Sequence, residues 1–169
     1  MGRMSAQSSL GEVRPEHDRA SDSELVLIHY VRAFALPVVD LWERITTPDR
    51  LAPWFGTIDG DCAAGELRVT STDDCRSETA TVTIRDCRSP HVLDIDFDGG
   101  SLELRLTQVG VVTTLEMTRR HLHSDDLSRV GPRWQYYLDR LESSIAQVPL
   151  PAWSDYVDLG SEYGGLRPS

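Results

Sequence analysis

The sequence predicts an α+β domain: one curved antiparallel sheet wrapped around a long C-terminal helix, with two short helices after the first strand. Three observations carry this reading. Between residues 66 and 118 apolar and polar residues alternate with a period of two in five successive segments. The gaps between those segments are too short for crossover helices, so the strands form an antiparallel meander. One strongly amphipathic segment, DLSRVGPRWQYYLDRLESSIAQV, follows. It is the only element large enough to cover the apolar face of such a sheet.

Residues 1–22 are polar and without periodicity and read as a disordered tail. The domain proper runs over 23–148. ELVLIHYVRAF is rich in β-branched and aromatic residues and reads as the first strand. It is apolar on both parities, which leaves its inward face open. Pro37 then opens a helix with Val38, Leu41, Trp42 and Ile45 at helical spacing. Pro48 restarts the chain in a very short helix, with Thr47 as N-cap and Gly56 as stop.

The strands follow. Leu67 and Val69 alternate with polar residues, as do Ala80, Val82 and Ile84, then Leu93, Ile95 and Phe97. Leu102, Leu104 and Leu106 make a fourth segment, and Val111, Thr113, Leu115 and Met117 a fifth. One apolar and one polar face mark a sheet that buries a single side. In the long helix Trp134, Tyr137, Leu138, Leu141, Ile145 and Val148 share one face, with Arg133, Asp139, Arg140 and Glu142 on the other, and Pro149 and Pro151 end it. Residues 149–169 hold Trp153, Tyr156 and Tyr163, too aromatic for a free linker, and are expected to pack back on the domain.

Composition narrows the function. A net charge of −10 argues against nucleic acid and against an anionic membrane as partners. No apolar run approaches the ~18 residues of a membrane span, and the N-terminus lacks the apolar core of a secretory signal. A cytoplasmic protein is expected. Cys62, Cys75 and Cys87 form no CxxC pair and read as free thiols.

The stretch RRHLHSDD, residues 119–126, looks most like a metal site, because His121 and His123 share a side in an extended segment. A closed site needs further ligands, however, and Ser124 or Asp125 serves simply as N-cap of the long helix. We read it as a helix start, with no metal and no cofactor. Asp94, Asp96 and Asp98 read as a solvated strand face rather than a calcium loop. No nucleophile or phosphate-loop motif occurs, so no catalytic residue is assigned. His29, Tyr30 and Arg32 on the first strand are the groups that could enter a cavity as acid, base or oxyanion partners.

ALPVVDLWERITTPDRLAPWFG (35–56), TTLEM (113–117) after a glycine turn, and RWQYYLDRLES (133–143) together resemble the heat-shock-chaperone ATPase activator (AHSA-type) family, in its bacterial single-domain branch. That family lies within the START-like, or SRPBCC, helix-grip superfamily, which includes the Bet v-like proteins. The resemblance spans about residues 25–146. It departs at Val112, before Thr113, where relatives carry Gly-Thr, at Arg119 where they carry His, and at Arg133 where they carry Gly.

One helix cannot fill the concave side of such a sheet, and the superfamily's carriers and cyclases use the remaining space. The expected function is binding of a small apolar or aromatic molecule between sheet and helix, by a monomer or homodimer. The alternatives are a cyclase/aromatase- or hydrolase-like enzyme using the same cavity, or a chaperone-linked interaction protein. The expected ligand-facing residues are Trp54 and Phe55 beneath the short helices. The strands supply Val82, Leu93, Phe97, Leu104 and Met117, and the helix supplies Trp134, Tyr137, Leu138 and Leu141.

Overall fold

In a computed structural model that describes residues 11–15, 25–60, 65–71, 79–97 and 100–165, the side chains of Ser71 and Phe97 aside, the alternating segments pair into one antiparallel sheet of eight strands. Its order is β1-β2-β8-β7-β6-β5-β4-β3. The strands are β1 (Glu12–Pro15), β2 (Leu25–Phe34), β3 (Gly56–Asp59), β4 (Glu66–Ser71), β5 (Thr79–Arg88), β6 (Val92–Phe97), β7 (Gly100–Val109) and β8 (Val112–His123). Helices α1 (Val38–Thr46) and α2 (Pro48–Leu51) follow β2, α3 (Leu127–Ala146) follows β8, and α4 (Leu159–Gly164) comes last. No helix among the described residues is long and apolar enough to cross a membrane. Cys62, Cys75 and Asp98 lie outside the described residues.

β2, ambiguous from its sequence, turns its even residues inward. Val26, Ile28, Tyr30, Arg32 and Phe34 are buried, while Val31 and Ala33 face solvent. Register then aligns the inner residues across strands. Leu93, Leu104, Met117 and Tyr30 form one row, and Ile95, Leu102, Arg119 and Ile28 the next. The β7–β8 hairpin closes through Gly110 and Val111 between the paired Val109 and Val112. Gly110 takes a φ of 61° there, the first central position of a type II′ turn, where glycine carries no Cβ penalty.

Several expectations need correction. Residues 12–15 do not belong to a featureless tail: they form an edge strand on β2. Val13 is the sole large apolar residue of that strand, so no side-chain period announces it, and backbone pairing with β2 together with Val13 against the core places it. β3, with Ile58 as its one large apolar residue, is silent for the same reason. RRHLH is no helix start either. It is the end of β8, paired with β2 as far as His123. A bulge there places His121 at a φ of 61°, and both His121 and His123 are exposed. Ser124–Asp126 form a 3₁₀ turn, and the cap position of α3 falls to Asp126, which makes no side-chain cap bond. Nor do the prolines end α3: Gln147 stops it in the left-handed conformation.

The far side of α3 is also covered. Gln135 and Tyr136 are 0% and 1% exposed because residues 149–165 return along that side. Trp153 and Tyr156 each place a ring centroid 5.2 Å from Tyr136. Tyr163 lies flat on the helix at Gly131, where a Cβ would stand 2.3 Å from its ring. Gly131→Ala should therefore destabilise the protein by ~1–3 kcal/mol through overpacking, although alanine is favoured over glycine in a helix interior by ~1 kcal/mol. Urea unfolding of the two proteins measures this, and a gain in stability would refute the close approach.

Candidate functional site

Eight strands at ~4.8 Å spacing span roughly 34 Å, against a helix ~10 Å wide. α3 is fastened over the β2 end of this surface. Tyr30 Oη donates to the Gly131 carbonyl at 2.8 Å. Arg32 Nη1 donates to Asp139 Oδ1 at 2.8 Å and lies 3.3 Å from Glu142 Oε2. Toward β4–β7 the apolar face is instead bridged by α1, α2 and the turn that follows them. Between these layers lies a cavity of about 320 Å³, partly open to solvent.

Each layer contributes to its wall. α1 supplies Trp42, Ile45 and Thr46, α2 supplies Leu51, and the following turn supplies Trp54 and Phe55. α3 adds Trp134, Leu138 and Leu141. The sheet floor includes Val82, Cys87, Leu93, Leu104 and Met117, flanked by Ile58, Leu67, Val69, Ile95, Leu102 and Leu115. Thr46, Ser89 and Cys87 bring polar side-chain atoms or a thiol, and no charged, histidine or tyrosine side chain stands among the described lining residues. The Thr46 hydroxyl donates back to Trp42 O at 2.8 Å. The wall is predominantly apolar.

Its aromatic part is held in place by local bonds. Trp54 Nε1 donates to Arg44 O at 2.9 Å, which ties the indole to the end of α1. The Phe55 ring stacks on Trp134 with centroids 6.2 Å apart and planes 20° from parallel.

Nine of the eleven residues expected to face a ligand lie on this wall: Trp54, Phe55, Val82, Leu93, Leu104, Met117, Trp134, Leu138 and Leu141. Tyr137 stands behind it, buried, with its ring 4.7 Å from Phe55 and 5.5 Å from Trp134. Phe97 ends β6, and its side chain lies outside the described residues. The sequence reading missed Trp42, Ile45 and Leu51, whose helical spacing marks them as buried without saying against what. It also missed Cys87. A register shift between Ile84 and Asp86 inserts one extra residue in β5, so Cys87 rather than Asp86 faces inward opposite Leu93.

The polar groups of β2 serve another purpose. His29 points to the outer face, 3.4 Å from Glu116. Tyr30 and Arg32 point inward, yet both are engaged with α3 rather than the cavity. Around them Tyr156 Oη donates to Asp139 Oδ2 at 2.6 Å. Tyr163 Oη donates to Gln135 Oε1 at 2.7 Å and accepts the Gly11 N–H at 2.9 Å. Burial pushes the phenol pKa of Tyr30, Tyr156 and Tyr163 above the usual tyrosine value. On the outer face Asp94 stands opposite Glu103, and partial burial together with that charge raises its pKa. Among the described residues no group of three or more His, Cys, Asp or Glu is placed to hold a metal ion.

Known proteins share this fold. A family model described as Activator of Hsp90 ATPase homolog 1-like protein matches residues 35–146. The crystal structure of CalU16 from Micromonospora echinospora is similar with a TM-score of 0.74 and 25% identity, covering 95% of this chain and 98% of that one. EF2215 from Enterococcus faecalis, a protein of unknown function, is similar with a TM-score of 0.72 and 17% identity over 96% of each chain. The Aha1 dimer from Colwellia psychrerythraea gives 0.59 and 15%, over 70% of this chain and 95% of that one. At these last two identities the likeness is one of fold. Among curated proteins none matches.

The raised tyrosines set an alkaline limit. A phenol whose folded pKa exceeds its unfolded value of about 10 contributes stability that is complete below that value and is lost as pH rises through the folded pKa. Stability should therefore fall above about pH 10. Phenolate absorbance of Tyr30, Tyr156 and Tyr163 should appear together with loss of circular dichroism. Full tyrosine ionisation in a still-folded chain would contradict their burial.

Proposed function

The chain belongs to the Activator of Hsp90 ATPase homolog 1-like protein family, and from that premise we propose that it binds a small, uncharged apolar or aromatic molecule between the sheet and α3. One observation carries the reading: a cavity of about 320 Å³ whose described wall holds no charged side chain. The volume falls at the lower end of the ~300–1,000 Å³ usual for small-molecule sites. An ionised ligand would leave water and meet no counter-charge there, at a cost of several kcal/mol. An apolar one gains ~25 cal/mol per Å² buried, so ~200 Å² supplies roughly 5 kcal/mol before ordering costs.

The same wall disfavours the enzyme reading. General acid–base chemistry needs an ionisable group within reach of the reacting atoms, and the described wall offers only the Cys87 thiol. Tyr30 and Arg32, the strand residues best suited to it, are bonded to α3 instead. Aromatic selectivity is supported by the stacked Phe55 and Trp134, which offer a ring face to a flat molecule.

Native mass spectrometry of freshly purified protein, repeated after denaturation, should show an organic mass excess that disappears on unfolding. Titration with the neutral dye N-phenyl-1-naphthylamine should give a fluorescent complex. Met117→Lys should abolish dye binding, and Val82→Trp, which fills the cavity without charging it, should weaken it at least about tenfold, or ~1.4 kcal/mol. A bare chain that also ignores the dye would sink the proposal, and so would unchanged affinity in a folded Val82→Trp variant.

A further inference from the structure

We infer that the C-terminal segment after α3 governs the cavity, acting through Arg140 on the Trp54–Phe55 turn of its wall. The inference rests on the binding reading above and adds a means of regulating it. Arg140 lies outside the cavity lining, yet it bonds to the turn that carries Trp54 and Phe55. Its Nε donates to Trp54 O at 2.9 Å, and its Nη2 reaches Pro53 O at 3.4 Å. On the other side Nη1 donates to Tyr136 Oη at 3.1 Å and reaches Pro151 O at 3.5 Å. One guanidinium therefore joins the turn, the long helix and the returning tail.

The turn depends on these bonds. Pro53 has no N–H to give, and the Trp54 and Phe55 amides both go to the single Leu51 carbonyl, at 3.3 and 2.9 Å. The carbonyls of Pro53 and Trp54 are held from outside, by Arg140. The side chains of Trp54 and Phe55 are cavity wall. A rigid, planar fork with five donors can serve several carbonyls at once, which a lysine ammonium at the same place cannot match in geometry.

Arg140 in turn depends on the tail. Its guanidinium carbon lies 5.2 Å from the centroid of the Tyr136 ring, which Trp153 and Tyr156 cover from the tail side. Tyr156 is anchored on Asp139, itself paired with Arg32. Pro149 and Pro151 stiffen the connection, so the docking of Trp153 and Tyr156 fixes where the Pro151 carbonyl stands. With the tail docked, Arg140 is set and the aromatic wall is rigid. With the tail released, the guanidinium loses the Pro151 acceptor, the Tyr136 ring beside it loses the cover of Trp153 and Tyr156, and the wall loosens. Linkage is reciprocal: whatever occupies the cavity also strengthens docking of the tail.

The test uses the full chain with Trp153→Ala and Tyr156→Phe, neither of which lines the cavity, and Val157→Ser, at a residue 59% exposed, as control. Two readouts are taken: amide hydrogen exchange at Trp54 and Phe55 relative to Leu104 and Leu115, and affinity for N-phenyl-1-naphthylamine. The tail variants, and Arg140→Lys with them, should speed exchange at the turn about tenfold with the sheet amides unchanged, and weaken dye binding about five- to tenfold. Val157→Ser should change neither. Unchanged exchange at the turn in a folded Trp153→Ala variant overturns the coupling whether or not the wild-type chain binds the dye. Faster exchange with unaltered dye affinity also overturns it, because the cavity would then be indifferent to the turn. A wild-type chain that takes up no dye would defeat the binding reading, and with it the regulation, even where the exchange data show the turn and tail to be joined.

Discussion

Where α3 sits on the sheet decides nearly everything else in this molecule. Two bonds from one strand hold it: the Tyr30 hydroxyl on the Gly131 carbonyl, and the Arg32 guanidinium on Asp139. Both come from β2, the strand that β8 joins to the rest of the sheet. A helix so placed is off-centre by construction. The row Leu93, Leu104, Met117 and Tyr30 shows the result across four strands. At Tyr30 the row meets the helix through a hydrogen bond, while Met117, Leu104 and Leu93 face open space. The cavity is what remains of an eight-stranded inner face after one helix has been fastened near its edge.

The Arg32–Asp139 pair has the character of a positional device more than a source of stability. Its side chains are only 6% and 16% exposed, so desolvation offsets much of the attraction. What the pair contributes is register. An apolar contact would tolerate a slide of α3 along β2, but a guanidinium needs its carboxylate at one helical position. The Tyr156 hydroxyl on the second Asp139 oxygen extends that demand to the tail. Strand, helix and tail thus meet at Asp139, with Glu142 beside it on Arg32, and the buried phenols of Tyr30 and Tyr163 complete a polar seam beside the apolar cavity.

The fold was largely legible because amphipathic strands and one long helix obey simple periods. The period also exposed most of the cavity floor, since Val82, Leu93, Leu104 and Met117 follow from the apolar phase of their strands. It failed where the phase is broken or empty. The extra residue between Ile84 and Asp86 moves Cys87 inward, and the bulge near His121 shifts the pairing of β8 with β2 at its end. β1 and β3 carry too few apolar residues to show a phase at all. The helix was harder still. Asp139 and Arg140 look like solvent-facing charge from their spacing, yet Arg32 of β2, the Pro53–Trp54 turn and the return of residues 149–165 leave them half-buried and bonded. No local pattern encodes that, because it depends on contacts between segments far apart in the chain.

The wall of the cavity contains Trp42, Trp54 and Trp134, three of the four tryptophans in the sequence, and the fourth, Trp153, stacks on Tyr156 in the tail. Indole emission shifts with the polarity of its surroundings, and three of this protein's four indoles stand beside one partly open cavity. Water leaving that space, or a conjugated guest entering it and accepting excitation from the neighbouring indoles, would change the colour or yield of the whole molecule's fluorescence. The chain thus carries its own optical gauge of whether the cavity is wet or occupied, with no label attached.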